Sequence, residues 1–174
     1  MNAPDTTLHI ESLLNTSPPE MIAAARELLR EYGEFVLAST GPARFCAARL
    51  GVEIERPVES YAENGGELLL AFLGDAAVGC AGFRALAANV PERACELKRL
   101  WVRPLFRGAA IGDRLVEHVL QRAARAGFEA IYLDTEPYAM PAALRLYVRF
   151  GFEECAAYNT ETAPGLKFFR KSLS

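Results

Sequence analysis

A chain of 174 residues has room for one domain with a sizeable core and little space for a second, so residues 1–174 are read as a single domain. Hydrophobic residues at 51% and charged residues at 24% exclude large-scale disorder, and a formal net charge of −3 lacks the basic surplus that general nucleic-acid binding requires. No apolar run reaches the roughly 18 to 20 residues that span a bilayer, and the polar stretch Met1 to Thr7 lacks the basic and apolar regions of a secretory signal; no membrane partner and a cytoplasmic location are expected.

Thr7 to Leu13 predicts a first strand. Ser17-Pro18-Pro19-Glu20 reads as a capping box with proline at the first helical position, opening a helix through about Val36. Gly41-Pro42 punctuates, and a second helix is expected over roughly Ala43 to Leu50, followed from Gly51 to Gly66 by a segment read as largely loop or short helix. Leu68 to Leu73 and Ala77 to Leu86 predict two strands around a tight Gly74-Asp75 turn. Ala87 to Arg93 is a loop, and a strand begins at Ala94.

That strand runs through Arg103-Pro104 into Arg107-Gly108-Ala109-Ala110-Ile111-Gly112-Asp113, and an amphipathic helix ending near Gly127 leaves it. Ile111, Leu115, Val116, Val119, Leu120 and Ala123 fall on one face of that helix, with Arg114, Glu117, His118, Gln121 and Arg122 opposite. Ala130 to Asp134 is short and apolar, as buried parallel strands are. Pro141 opens a helix that buries Ala143, Leu146, Tyr147 and Phe150, keeps Arg145 and Arg149 outside and stops at Gly151; Phe152 to Tyr158 and Leu166 to Leu173 close the fold as strands. The order implies a mixed α/β fold, with a twisted mixed central sheet of about six to seven strands and helices on both faces.

Cys46, Cys80, Cys95 and Cys155 are scattered, with no paired ligand spacing, and His9 and His118 are the only histidines. No metal and no cysteine–histidine nucleophile are expected; the cysteines, each among apolar neighbours, read as reduced and buried.

A strand, a small-residue turn carrying an arginine and a helix N-terminus make a ready anion site, because the free amides of the first turn and the helix dipole act together. Gly112-Asp113-Arg114 lacks the ending of a P-loop, and two glycines are too few for a dinucleotide fingerprint. The turn resembles instead the arginine-x-x-glycine-x-glycine turn of the GNAT superfamily of acyl-coenzyme A dependent N-acetyltransferases. Arg107 and Gly112 match its ends, and Ala110 stands at the middle glycine. A second stretch, Ala143-Leu144-Arg145-Leu146-Tyr147-Val148-Arg149-Phe150-Gly151-Phe152, is similar to the family's alanine-x-x-leucine-tyrosine-x-x-x-glycine-phenylalanine segment, with Met140 where an asparagine is often found. Cys95 to Pro104, Leu133-Asp134-Thr135 and Ala157-Tyr158 through Leu173 also look like a bacterial-type subgroup, so the resemblance extends from Cys95 to the C-terminus.

The resemblance implies acetyl-CoA as acyl donor and transfer to a primary amine of a small molecule by direct attack, with no metal, and leaves a homodimer open. Protein or peptide N-acetylation, a non-catalytic acyl-CoA sensor and a plain interaction domain are the alternatives. Residues Gly108, Ala109, Ala110, Ile111, Gly112 and Asp113 would hold the pyrophosphate of coenzyme A through backbone N–H groups, with the Arg107 side chain nearby. Leu100, Trp101 and Val102 would pair with the pantetheine arm as an added strand, Trp101 alternatively being core packing. Tyr147 is implied as the acid that protonates the departing thiolate, against the plainer role of a core tyrosine. Glu96, eleven positions before Arg107, is implied as general base; the alternative is a structural pair with Lys98 or Arg99. Period-two alternation puts Glu96, Lys98, Leu100 and Val102 on one face and Cys95, Leu97, Arg99 and Trp101 on the other. At Ala110 a β-carbon is costly only if the backbone adopts positive φ.

Overall fold

Gly74, at φ +56, turns the chain between β2 (Glu67–Leu73) and β3 (Ala76–Ala85), which pair antiparallel as the turn signal predicted. The computed structural model describes residues 7–41, 47–63, 65–86, 90–160 and 165–173. In it β1 (Leu8–Ser12) flanks β2, β4 (Ala94–Val102) flanks β3, and β5 (Ala130–Thr135) lies parallel to β4. With β6 (Glu153–Cys155) and β7 (Lys167–Ser172) they form one seven-stranded sheet in the order β1-β2-β3-β4-β5-β7-β6.

Strand alternation divides the apolar residues between two layers. Leu68, Leu70 and Trp101 face α1 (Pro19–Thr40), α2 (Ala47–Glu55) and α3 (Glu59–Ala62), packing with Leu28, Leu29, Leu50 and Tyr61. Leu69, Phe83, Leu97, Ile131 and Leu133 face α4 (Ile111–Arg125) and α5 (Pro141–Arg149), packing with Leu115, Val116, Val119, Leu146 and Tyr147. Each fully buried leucine contributes about 1.5–3 kcal/mol. Tyr61 lies so close over Gly82 that a β-carbon there would stand 2.3 Å from its ring, which is why β3 carries a glycine at that point.

Several local expectations change. Ser17 does not cap α1; its hydroxyl accepts the Leu14 N–H (2.9 Å), and Pro18 is the residue before the helix. Pro18 stays extended (φ −64°, ψ 152°) because Pro19 follows it, so the helix starts one residue later than a serine cap requires. The helix runs past Val36 to Thr40, where Gly41 at φ +77 ends it. The segment after Gly51, expected as loop or short helix, takes the helical course: α2 continues to Glu55 because Leu50 and Ile54, four apart, both pack into the α1 layer, and α3 is a short helix. Residues 43–46 of the expected second helix and 87–89 of the expected loop lie outside the described residues. The strand expected over Phe152 to Tyr158 is confined to Glu153–Cys155.

Two irregularities of β4 shape the site. Cys80 pairs with Trp101 and Gly82 with Lys98, so Arg99 and Leu100 together face Ala81 in a β-bulge, with Arg99 at φ +59. The bulge overturns the expected alternation: Leu100 and Val102 join Cys95 and Leu97 on the α4 face, while Trp101 packs in the α1 layer. Second, β4 and β5 pair only at Ala94↔Ala130, Cys95↔Ile131 and Glu96↔Tyr132. Beyond Glu96 the β5-facing edge of β4 has no strand partner among the described residues.

Candidate functional site

A cleft of about 610 Å³ opens at the C-terminal end of β4. Leu100, Trp101, Val102, Arg107, Gly108, Ala110, Ile111, Gly112 and Asp113 all line it; of the residues expected to hold the cofactor only Ala109 does not. Tyr32 and Phe35 of α1, and Ala139 to Ala143 with Arg145, Leu146 and Arg149 around α5, complete the walls.

The turn does what its composition suggests. The first intrahelical bond of α4 runs from Arg114 N–H to the Ala110 carbonyl (3.1 Å), so the amides of residues 111–113 lack an intrahelical acceptor, and no side chain among the described residues caps the helix. Ala110 sits in the left-handed region (φ 57°, ψ 17°), where its β-carbon is strained. Asp113 is ion-paired with Arg149, which offsets a carboxylate placed at the anion end of the helix. Arg107 folds back: its Nε donates to the Val102 carbonyl (3.0 Å), and the guanidinium lies 4.9 Å from the Trp101 ring centroid and 5.4 Å from that of Phe35. Trp101 is both wall and anchor, its Nε1 donating to Glu31 of α1 (3.0 Å).

Where β4 and β5 part, a polar cluster replaces the ladder. Lys98 Nζ reaches Glu96 Oε1 (2.7 Å) and Asp134 Oδ2 (3.2 Å), Tyr158 donates to Glu96 Oε1 (2.7 Å), and Asn159 donates to Asp134 Oδ2 (3.2 Å). Burial, with Glu96 and Asp134 nearby, lifts the Tyr158 phenol far above its ordinary range. The pairing of Glu96 with Lys98 is the structural arrangement the sequence left open, and the Arg99 alternative is not adopted. Arg99 instead donates from Nε (2.7 Å) and Nη2 (3.0 Å) to buried Glu53, which also receives Arg84 Nη1 and the Tyr61 hydroxyl (both 3.2 Å). Burial opposes ionisation of Glu53, but Arg99 first, then Arg84 and Tyr61, outweigh it and hold the carboxyl below the usual range.

Tyr147 is buried at 6% exposure, its ring edge-to-face with Phe152 at 5.7 Å, and its hydroxyl makes no hydrogen bond among the described residues. Burial raises its pKa above the ordinary 10.0, with the fields of Tyr32 and Asp134 adding to the effect. The phenol is therefore protonated at neutral pH and lies within electrostatic reach of both residues. Cys80 and Cys95 are buried with thiols pushed up to about 12, Cys155 is half-buried, and Cys46 lies outside the described residues.

Sequence reasoning missed Tyr32, Phe35, the Lys98–Asp134 contact and the Tyr158 bond to Glu96, all of which join elements distant in the chain. The bulge did leave a signal: the apolar positions 95, 97, 100 and 102 step by two, three, two, and the three marks the extra residue.

The profile of the Acetyltransferase (GNAT) family matches residues 22–152. An uncharacterized N-acetyltransferase of Schizosaccharomyces pombe is 32% identical over 123 residues, covering 70% of this chain and 73% of that protein. Among solved structures, aminoglycoside 6'-acetyltransferase type Ii superposes with a TM-score of 0.71 at 20% identity, over 95% of this chain and 97% of that one. The structure of yncA from Salmonella typhimurium with its cofactor acetyl-CoA superposes with a TM-score of 0.68 at 20% identity, over 96% and 94%. No helix among the described residues is long and apolar enough to cross a membrane.

Proposed function

The chain belongs to the GNAT acetyltransferase family, and from that premise we propose that, as a single domain, it transfers the acetyl group of acetyl-CoA to a primary amine of a small molecule. One observation carries the reading: the amides of residues 111–113, which have no backbone acceptor among the described residues, and the β5-facing edge of β4 at Leu100 to Val102, which has no strand partner among them, line the same cleft. The two ends of coenzyme A need these two features. Its pyrophosphate takes the α4 amides and the positive end of the helix dipole. Its pantetheine arm, which carries amide groups, pairs with the open edge of β4 as an added strand. The bound yncA structure and the aminoglycoside enzyme support the donor and the acceptor class.

The amine attacks the thioester carbonyl directly, with no acyl-enzyme. A β4 N–H polarises the carbonyl oxygen. Tyr147, held protonated by its burial on the helix whose Arg145, Leu146 and Arg149 line the cleft, delivers its proton to the departing thiolate. The amine must first lose a proton, and Glu96 and Asp134, both bound to Lys98, are the carboxylates available beside the opening.

Calorimetry with coenzyme A, followed by thiol release from acetyl-CoA across a panel of primary amines, tests the proposal. Amine-dependent thiol release is the expected result. No binding at millimolar coenzyme A would overturn the donor site, and acetylation of lysine peptides with no small amine accepted would overturn the acceptor class.

A further inference from the structure

An amine that arrives protonated needs a carboxylate free to take its proton, and the two beside the β4–β5 opening are not in equivalent states. Glu96 is 5% exposed, lies at the last paired position of the parallel ladder, and receives both the Lys98 ammonium and the Tyr158 hydroxyl on the same oxygen, Oε1. Asp134 lies beyond the ladder and keeps 20% of its side chain exposed. Its contacts with Lys98 and Asn159 both fall on Oδ2, and Oδ1 has none among the described residues. Asp134 is also the carboxylate whose field reaches the Tyr147 hydroxyl, the proposed acid of the same reaction.

We infer that Asp134 accepts the amine proton, that Lys98 is a positioning residue holding Asp134 by Oδ2, and that Glu96 anchors Lys98 from the opposite side. The inference rests on the acetyl-transfer reading. The ammonium gives one proton to Asp134, and the nitrogen lone pair then forms the N–C bond to the thioester carbonyl. Collapse breaks the C–S bond; Tyr147 protonates the sulfur and is restored by the second proton leaving nitrogen. The first proton passes from Asp134 to solvent. The groups around Asp134 are Lys98 and, behind it, Glu96 on β4, Tyr147 on α5, and Tyr158 and Asn159 after β6. On β7, Lys167 is engaged by Glu154 and Arg170 by Glu92.

The test compares pH–rate profiles of kcat/KM for the wild type, Asp134→Asn, Glu96→Gln and Lys98→Met, using an amine that the panel shows to be accepted. Asp134→Asn should lose about 10²- to 10⁴-fold at neutral pH and recover as pH rises and the amine arrives neutral. Glu96→Gln, which loosens Lys98, should lower the melting temperature and reduce kcat/KM alike at every pH, without the recovery at high pH expected of Asp134→Asn. Lys98→Met should lower kcat while coenzyme A affinity is kept, and Lys98→Arg, which keeps a donor for Oδ2, should restore most of the rate. A wild-type profile in Asp134→Asn, or a loss recovered at high pH in Glu96→Gln instead, would overturn the assignment, and a wild-type kcat in Lys98→Met would overturn the positioning role. If Asp134→Asn is too unstable to assay, Asp134→Ala with added formate gives a second reading: rescue supports Asp134 and no rescue overturns it. A wild type that releases no thiol with any amine removes the acetyl-transfer reading and this inference together, whereas an active wild type with an unaffected Asp134→Asn removes this inference alone.

Discussion

Lys98 Nζ lies 3.2 Å from Asp134 Oδ2 across a gap that the backbones of β4 and β5 no longer bridge. Extending the register of Glu96↔Tyr132 by two residues sets these side chains opposite each other, so an ion pair stands where the next backbone bonds would be. The pair is mostly buried, at 16% and 20% exposure, and is less screened than a surface pair. One residue further on, the Arg99 bulge turns β4, while the Arg99 side chain is tied to Glu53. Opening and bulge thus give β4 a first half paired on both edges and a second half, Leu100 to Val102, that has β3 as its one strand partner among the described residues and lines the cleft.

Ala110→Gly should stabilise the protein. An L-residue in the left-handed region costs about 1–2 kcal/mol, and the extra unfolded-state freedom of glycine returns about 0.4–1 kcal/mol of that. The net gain expected is about 0.5–1 kcal/mol, read by urea denaturation, with a melting temperature higher by about 1–4 °C. A lower midpoint would mean that the turn does not hold Ala110 at positive φ.

Gly112→Val should separate folding from binding. A β-carbon at Gly112 would stand 3.5 Å from Leu146 Cδ2 and 3.9 Å from Val102 Cγ2, which are ordinary contacts, so α4 should still form. Its branches would crowd the cleft those residues line and hinder the approach of pyrophosphate to the helix amides. Calorimetry should show coenzyme A affinity lower by about tenfold or more, roughly 1.4 kcal/mol. Unchanged affinity would put the pyrophosphate elsewhere.

The site was legible where chemistry is local in the chain. Arg107 to Asp113 is one turn and one helix start, so its residue types fix both the free amides and the wall they form; the same holds for Gly74-Asp75 and for Pro141 at the start of α5. Glu96 was legible as a residue but not as an environment, because Tyr158 reaches it from 62 positions away. Ser17 misled because a cap motif was read without the preference of Pro18 for extended backbone before Pro19. The length of α2 was hidden by Gly51, a weak helix former, and restored by the burial of Leu50 and Ile54 against α1.

Glu53→Gln should expose how much the buried charge network supports the fold. Arg99 and Arg84 would each lose a carboxylate partner in a largely buried place, and breaking such a pair costs about 3–5 kcal/mol. The pH dependence has a fixed sign. A carboxyl held below its usual 4.5 in the folded state adds stability that is present above that value and is lost as pH falls through the lower folded value. Denaturation at neutral pH and under acid conditions should therefore show the wild type and variant converging in acid. Parallel curves would mean that Glu53 does not titrate differently on folding.

Tyr147→Phe separates the two roles of this tyrosine, because they agree on stability and differ on rate. The ring packs on Phe152 and would keep that contact as phenylalanine. The hydroxyl has no hydrogen-bond partner among the described residues and is nearly buried, so deleting it should leave stability unchanged or raise it by up to about 1 kcal/mol. A tyrosine present only for packing would then be as active as phenylalanine. If the phenol supplies the proton for the thiolate, turnover should instead fall about 10²- to 10⁴-fold while coenzyme A affinity stays near that of the wild type. Its raised pKa adds a check: the acid should stay protonated beyond the ordinary tyrosine value of 10.0, so the wild-type rate should show no fall assignable to Tyr147 below that pH. Stability, affinity and rate measured on the one variant decide between the roles, and a fully active Tyr147→Phe would return the residue to the core.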